Sequence, residues 1–206
     1  MSRALVLVDL QHDFCAGGAL EVREGDAVIA VANRLLRHFA TVVATQDFHP
    51  PDHQSFAANQ RGVAVGETFE LGGLPQVAWP VHCVQGTPGA ELHRELDASR
   101  LTTTVRKGMD AEVDSYSAFF DNGRKRDTGL AAWLRERRVR DLYVMGLATD
   151  YCVKYTVLDA LEQGFSVWLL EDGCRAVDLA PGDGEAAIAE MRAAGATILW
   201  SGAIAS

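Results

Sequence analysis

The sequence predicts an α/β protein: a three-layer α/β/α arrangement with a mainly parallel sheet of six strands between helices. Three observations carry this expectation. Short apolar runs alternate with segments of helical period along the whole chain. The first run, Ala4-Leu5-Val6-Leu7-Val8, is apolar without interruption, as a strand buried on both faces is. Polar, reactive residues follow several of these runs, at the strand ends where open parallel sheets carry their sites. The 206 residues are 48% hydrophobic and 23% charged, enough for a single domain over 1–206 with a substantial core.

In chain order, the strand over 4–8 ends at Asp9, with Gln11, Asp13 and Phe14 close behind. Gly17-Gly18 marks a loop. Asp26 stands where it could cap a helix over 27–38, whose Val28, Val31, Leu35 and Phe39 keep helical spacing. A second strand over 41–45 runs into Gln46-Asp47-Phe48-His49. Residues 50–101 carry Pro and Gly at intervals and little periodicity, so they read as a long loop-rich insertion, of the kind that usually has a function. A third strand over 102–105 ends at Arg106-Lys107-Gly108, and 114–120 is a second excursion. The remainder reads as a helix over 130–137, a strand over 142–145 and a helix over 153–163 stopped by Gly164. A strand over 165–170, a helix over 184–194 stopped by Gly195 and a last strand over 196–199 follow. No internal repeat, low-complexity tract or linker interrupts the pattern.

Charge and cysteine usage exclude several classes. A net charge of −9 leaves nothing to neutralise phosphates, so neither nucleic acid nor an anionic membrane is an expected partner. The one basic cluster, over 135–140, contains Glu136 and reads as a solvated helix end. No apolar run is long enough to span a bilayer, and the N-terminal run meets Asp9 too early for a signal peptide. Cys15, Cys83, Cys152 and Cys174 lack CxxC spacing, so the expectation is reduced thiols in a cytoplasm. No glycine-rich phosphate loop follows any strand, so no nucleotide cofactor is indicated. A small-molecule substrate is the expected ligand. Apolar positions such as Leu35 and Phe39 could serve the core or a homo-oligomer interface equally.

Asp9, Lys107 and Cys152 each follow a different buried strand. Singly they read as a turn residue, a surface lysine and a packed thiol. Together, on the one edge where parallel strands all end, they read as a site. Cys152 is expected in the first turn of a helix, where the dipole lowers a thiol pKa. It would be the nucleophile, Asp9 the general base and then acid, and Lys107 the cation holding both. Backbone N–H groups of Ala148 and Cys152 could form an oxyanion hole. A second constellation is Asp47, His49 and His82. Asp-x-His on extended chain turns two ligand atoms the same way, and a distant histidine closes a facial set with open positions. His53 is either a further ligand or a loop residue. Two nitrogens and one oxygen suit one divalent ion, Zn²⁺, Fe²⁺ or Mn²⁺. His12, His38 and His93 lie on polar stretches and read as surface residues. Phe14, Trp79 and Tyr116 could wall a pocket for a flat ring, against the commoner use of aromatics in packing.

These residues together resemble the nicotinamidase/pyrazinamidase family of the isochorismatase-like cysteine hydrolases. The segments that carry the resemblance are Val8-Asp9-Leu10-Gln11-His12-Asp13-Phe14, Thr45-Gln46-Asp47-Phe48-His49-Pro50 and Trp79-Pro80-Val81-His82-Cys83-Val84-Gln85-Gly86-Thr87. Arg106-Lys107-Gly108, Asp114-Ser115-Tyr116-Ser117-Ala118-Phe119 and Gly146-Leu147-Ala148-Thr149-Asp150-Tyr151-Cys152-Val153 continue it. They stand in family order and span nearly the whole chain. The resemblance implies the isochorismatase-like fold, and hydrolysis of nicotinamide, and of pyrazinamide, to the acid and ammonia through a cysteine thioester, in NAD salvage. It implies Asp9, Lys107 and Cys152 as the triad, and Asp47, His49 and His82 on a metal, zinc being the first choice. It also implies Phe14 and Trp79 against the ring, Tyr116 in the pocket lining, and a cis peptide between Leu147 and Ala148. Some family members add a histidine or an acidic residue to the metal; here the local candidates are His53 and Ser55. The competing readings are another cysteine hydrolase of the superfamily acting on a different small amide, and a silent α/β binding module with an unreactive Cys152.

Overall fold

The computed structural model describes residues 2–204. Among these residues six strands form the main sheet: β1 (Ser2–Val8), β2 (Thr41–Asp47), β5 (Thr103–Lys107), β6 (Val139–Leu147), β7 (Ser166–Arg175) and β8 (Thr197–Leu199). Their order is β5-β2-β1-β6-β7-β8, and every pair is parallel. Ala4 to Val8 are each 0% exposed, so the unbroken apolar run does occupy a strand covered on both faces. Among the described residues four α-helices flank the sheet: α1 (Ala27–Leu36), α2 (Leu130–Glu136), α3 (Lys154–Glu162) and α4 (Asp183–Ala193). Right-handed crossovers in this strand order place α1 on one face and the other three on the opposite face. Among the described residues no helix is long and apolar enough to cross a membrane.

The strand order reverses between β1 and β6. That point opens a crevice outside the carboxyl ends of the strands, where open α/β sheets bind ligands. Gly146 makes the junction possible. It pairs with Val8 across the reversal at φ +134°, and a Cβ there would lie 2.1 Å from the Val8 carbonyl oxygen. Gly146→Ala is therefore expected to destabilise the fold by on the order of 3 kcal/mol or more, because both backbone conformation and space forbid a side chain. Thermal unfolding reads this directly, as a midpoint lowered by roughly 6–12 °C.

Several elements differ from the sequence reading. The strands run further than their apolar runs. β2 continues through Gln46 and Asp47, and β5 through Arg106 and Lys107, because ladder hydrogen bonds do not depend on side-chain polarity. α1 ends at Leu36, two residues short of His38. Asp26 does not cap it. Its backbone is already helical, and its carboxylate accepts the Ala16 N–H at 2.9 Å and faces His93 at 3.4 Å. His93 is correspondingly buried rather than a surface residue, its ring tilted against that of His12 at a centroid distance of 4.8 Å; His12 and His38 are half-buried. The 50–101 insertion contains a hairpin, β3 (Thr68–Leu71) and β4 (Leu74–Val77), joined by the two-residue turn Gly72-Gly73. β7 carries the largest irregularity in the sheet. Val144 pairs with Leu169, yet Gly146 pairs with Cys174, so β7 bulges beside the Gly146 to Ala148 segment.

Candidate active site

Asp9, the residue after β1, sits at φ +50°, a conformation a non-glycine residue keeps only when its surroundings hold it. Thr45 supplies that hold. Its hydroxyl donates to Asp9 Oδ1 at 2.5 Å and accepts the Asp9 N–H at 3.0 Å. Lys107 ends β5 two strands away, in register with Asp47 of β2, so both side chains leave the same face of the sheet. Its ammonium lies 2.8 Å from Asp9 Oδ2, 2.5 Å from Asp47 Oδ1, 3.0 Å from the Ser115 carbonyl oxygen and 3.2 Å from Cys152 Sγ. One lysine thus joins the two constellations that the sequence presented as separate. All four side chains are buried.

Cys152 lies in a turn of π-helix, Thr149–Val153, that precedes α3. The Ala148 carbonyl accepts N–H groups from Tyr151 and Val153, each at 3.1 Å, which straddle Cys152. Such π-type turns recur at functional sites, where they re-aim one residue. The Leu147-Ala148 peptide is cis. Gly164, at φ +84°, follows the end of α3 as expected.

Burial governs the ionisation of this cluster. It pushes the Cys152 thiol well above its usual range. Lys107 pulls the thiol down, and Asp9 and Asp47 push it up again. The expected lowering by a helix terminus is therefore overturned: desolvation exceeds it. Burial also raises the Asp9 carboxyl, with Lys107 offsetting part of the effect. Asp47 is buried too, yet Lys107 and His49 hold it well below the carboxylate range. Lys107 resists the loss of charge that burial favours, because Asp47 and Asp9 raise it well above the usual lysine value.

Asp47 Oδ2 also faces His49 Nε2 at 3.6 Å and His82 Nε2 at 3.8 Å. His49 Nδ1–H donates to the Gly108 carbonyl oxygen at 2.8 Å, and His82 Nδ1–H to the Pro80 carbonyl oxygen at 2.7 Å. A carbonyl only accepts, so each neutral ring carries its proton on Nδ1 and turns the Nε2 lone pair inward. In that neutral form three acceptor atoms, mutually within 4.8 Å, converge with no donor between them; without a cation there, Asp47 raises the proton affinity of His49 against its burial. That donor set fits a divalent cation. Gly108 is required for it, since a Cβ there would meet the His49 ring at 2.4 Å. Burial, then His49, pushes the neighbouring His53 down to about 4, so that ring is neutral near pH 7.

Phe14, Trp79, Tyr116, Ala148 and Cys152 line one cavity with Asp47 and His82. Sequence reasoning did not single out its other walls, Leu20, Asp114, Tyr151 and Val177. Tyr151 packs edge-on to Trp79 at 4.8 Å and to Tyr116 at 5.4 Å; its place beside Cys152 was the available signal. Thr45, Ser115 and Gln11 were missed as supports. Gln11 is buried, and its amide pairs with both the N–H and the carbonyl of Asp47, each at 2.8 Å, tying the Asp9 loop to the metal-type set.

The isochorismatase domain matches residues 3–201. The chain is 54% identical over 200 residues to the nicotinamidase of Escherichia coli (strain K12), covering 95% of this chain and 93% of that protein. A solved nicotinamidase/pyrazinamidase of Acinetobacter baumanii superposes with a TM-score of 0.96 at 43% identity, covering 98% of both chains. A pyrazinamidase of Pyrococcus horikoshii, solved in complex with zinc, superposes with a TM-score of 0.78 at 38% identity, covering 97% of this chain and 99% of that one.

Proposed function

The chain belongs to the isochorismatase domain family and, within it, to the nicotinamidases, and from that membership we propose how its site hydrolyses nicotinamide, and by extension pyrazinamide, to the acid and ammonia in NAD salvage. The observation that carries the reading is Lys107, whose one ammonium contacts an acid, a thiol and the carboxylate of a metal-type set.

The aromatic walls bind the pyridine ring, with its amide carbon at Cys152 Sγ. Asp9 takes the thiol proton as sulfur attacks. Burial raises the proton affinity of both groups, so the proton moves to Asp9 as sulfur attacks rather than leaving a free thiolate beforehand. The carbonyl oxygen becomes an oxyanion that the Ala148 and Cys152 N–H groups receive. Asp9 then returns the proton to nitrogen, the C–N bond breaks, and ammonia leaves a thioester. Asp9 next takes a proton from water, which attacks the thioester carbon. Breaking of the C–S bond returns that proton to sulfur and frees the acid. Lys107 keeps Asp9 in place throughout and offsets the negative charge around the thiol.

Asp47, His49 and His82 would hold one divalent ion, zinc being our choice from the nitrogen-rich ligand set. When bound, that ion supplies a Lewis-acid anchor for the ring nitrogen and so orients the amide. The reading is tested by ammonia release from nicotinamide with and without a chelator. Chelation is expected to raise KM more than it lowers kcat, and zinc is expected to restore it. An unchanged KM in metal-free protein would overturn the metal's role.

The pH profile adds a second check. Asp9 acts as base only when ionised, and burial raises its pKa, so its basic form is lost at higher pH than that of an ordinary aspartate, whose value is ~3.9. The acid limb of kcat/KM should therefore lie above that value, and Asp9→Asn should abolish turnover across the range.

A further inference from the structure

His53 is buried at 0% exposure beside His49, with ring centroids 4.3 Å apart. It resembles a further metal ligand, and a ring nitrogen of His53, one of His49 and an Asp114 carboxylate oxygen lie within 4.8 Å of one another. Its hydrogen bonds say otherwise. The Ser55 N–H points at His53 Nδ1 from 3.2 Å, and Ser55 Oγ lies 2.7 Å from the same nitrogen. A backbone N–H can only donate, so Nδ1 must accept, and the single proton of the neutral ring sits on Nε2. This is the reverse of His49 and His82, whose Nδ1 atoms face carbonyl oxygens. Three adjacent histidines are thus set in two opposite tautomers by their backbone neighbours. His53 Nε2 has no hydrogen-bond partner among the described residues, although a buried N–H left unmatched is costly.

We propose that His53 is a fixed N–H donor and not a metal ligand, set by Ser55 to hold an oxygen atom, as of a water, beside His49 and Asp114. The inference rests on reading Asp47, His49 and His82 as the metal set, and it limits the protein ligands to those three. Asp114 suits the other side of such a water. Its two oxygens already accept from the Ser115 N–H at 2.7 Å and Gln76 Nε2 at 2.8 Å, and each retains a free lone pair. A second ion on His49, His53 and Asp114 is disfavoured on the same grounds. The His49 Nε2 lone pair already faces Asp47, and His53 Nε2 carries a proton. His53 is therefore a positioning residue, acting through the oxygen it holds.

The test is long-range ¹H–¹⁵N NMR of the full chain labelled with ¹⁵N-histidine, in chelated and zinc-loaded protein, with His53→Gln identifying the His53 signals. His53 is expected as the Nε2–H tautomer in both states, while His49 and His82 are Nδ1–H tautomers whose Nε2 signals move on zinc loading. His53 as an Nδ1–H tautomer, or a His53 Nε2 signal that shifts as a zinc-bound nitrogen does, would overturn the proposal. Zinc affinity by competition with a chromophoric chelator is the second readout. His53→Gln keeps an N–H donor and should change Kd by no more than about tenfold, the low end of what loss of an outer-shell partner costs, and by clearly less than His82→Ala, which removes a ligand. Equal losses in the two variants would also overturn it. If wild-type protein took up no zinc, the metal reading would fail, and the tautomers of the chelated protein would still decide the role of His53.

Discussion

Cys152→Ala is expected to lower kcat for nicotinamide hydrolysis by about 10⁴-fold or more, the range seen when a covalent nucleophile is removed from an otherwise intact site. Binding should survive, because the cavity walls Phe14, Trp79, Tyr116 and Tyr151 and the set of Asp47, His49 and His82 do not depend on the sulfur. Ammonia release and calorimetric titration with nicotinamide therefore separate the two effects. Substantial residual turnover would mean that the acyl group does not pass through this thiol.

Lys107→Met should be the most damaging substitution to the fold among the site residues. The lysine is buried, and its ammonium lies between two buried carboxylates, at 2.8 Å from Asp9 and 2.5 Å from Asp47. Methionine fills a similar volume but leaves those carboxylates facing each other unpaired. Breaking a buried ion cluster in this way costs about 3–5 kcal/mol. For a chain of this size that lowers the thermal midpoint by roughly 6–20 °C. Turnover should fall as well, because Asp9 loses its anchor and Asp47 loses the charge that keeps it ionised. A midpoint within a degree or two of wild type would show that the cluster is not charged as described.

Much of this was legible in the residues. The unbroken run Ala4 to Val8 required a strand covered on both faces, and it is one. Asp9, Lys107 and Cys152 followed different strands, and parallel strands end together, so their meeting was a consequence of topology. Asp-x-His at the end of β2 was readable for the same reason. What was not legible depends on register and on burial. Only the pairing of Asp47 with Lys107 across β2 and β5 reveals that one ammonium serves both clusters. The thiol pKa lies above rather than below the usual range because the desolvation of a buried site, which no local pattern shows, outweighs a helix terminus. His93 and Asp26 were misplaced because each finds its partner far along the chain, which no local pattern records. The β3–β4 hairpin did leave a signal, the Gly72-Gly73 pair, but its strands are four residues each and one contains Pro75.

Whether the acyl group of the substrate passes through Cys152 is decided by hydrolysing nicotinamide in the presence of hydroxylamine, which intercepts a thioester whether or not it accumulates. Nicotinohydroxamate should form at the expense of nicotinate, at an unchanged rate of ammonia release where acylation limits turnover, and Cys152→Ala should give neither product. Continued ammonia release by Cys152→Ala, with nicotinate as its only organic product, would rule out a Cys152 thioester.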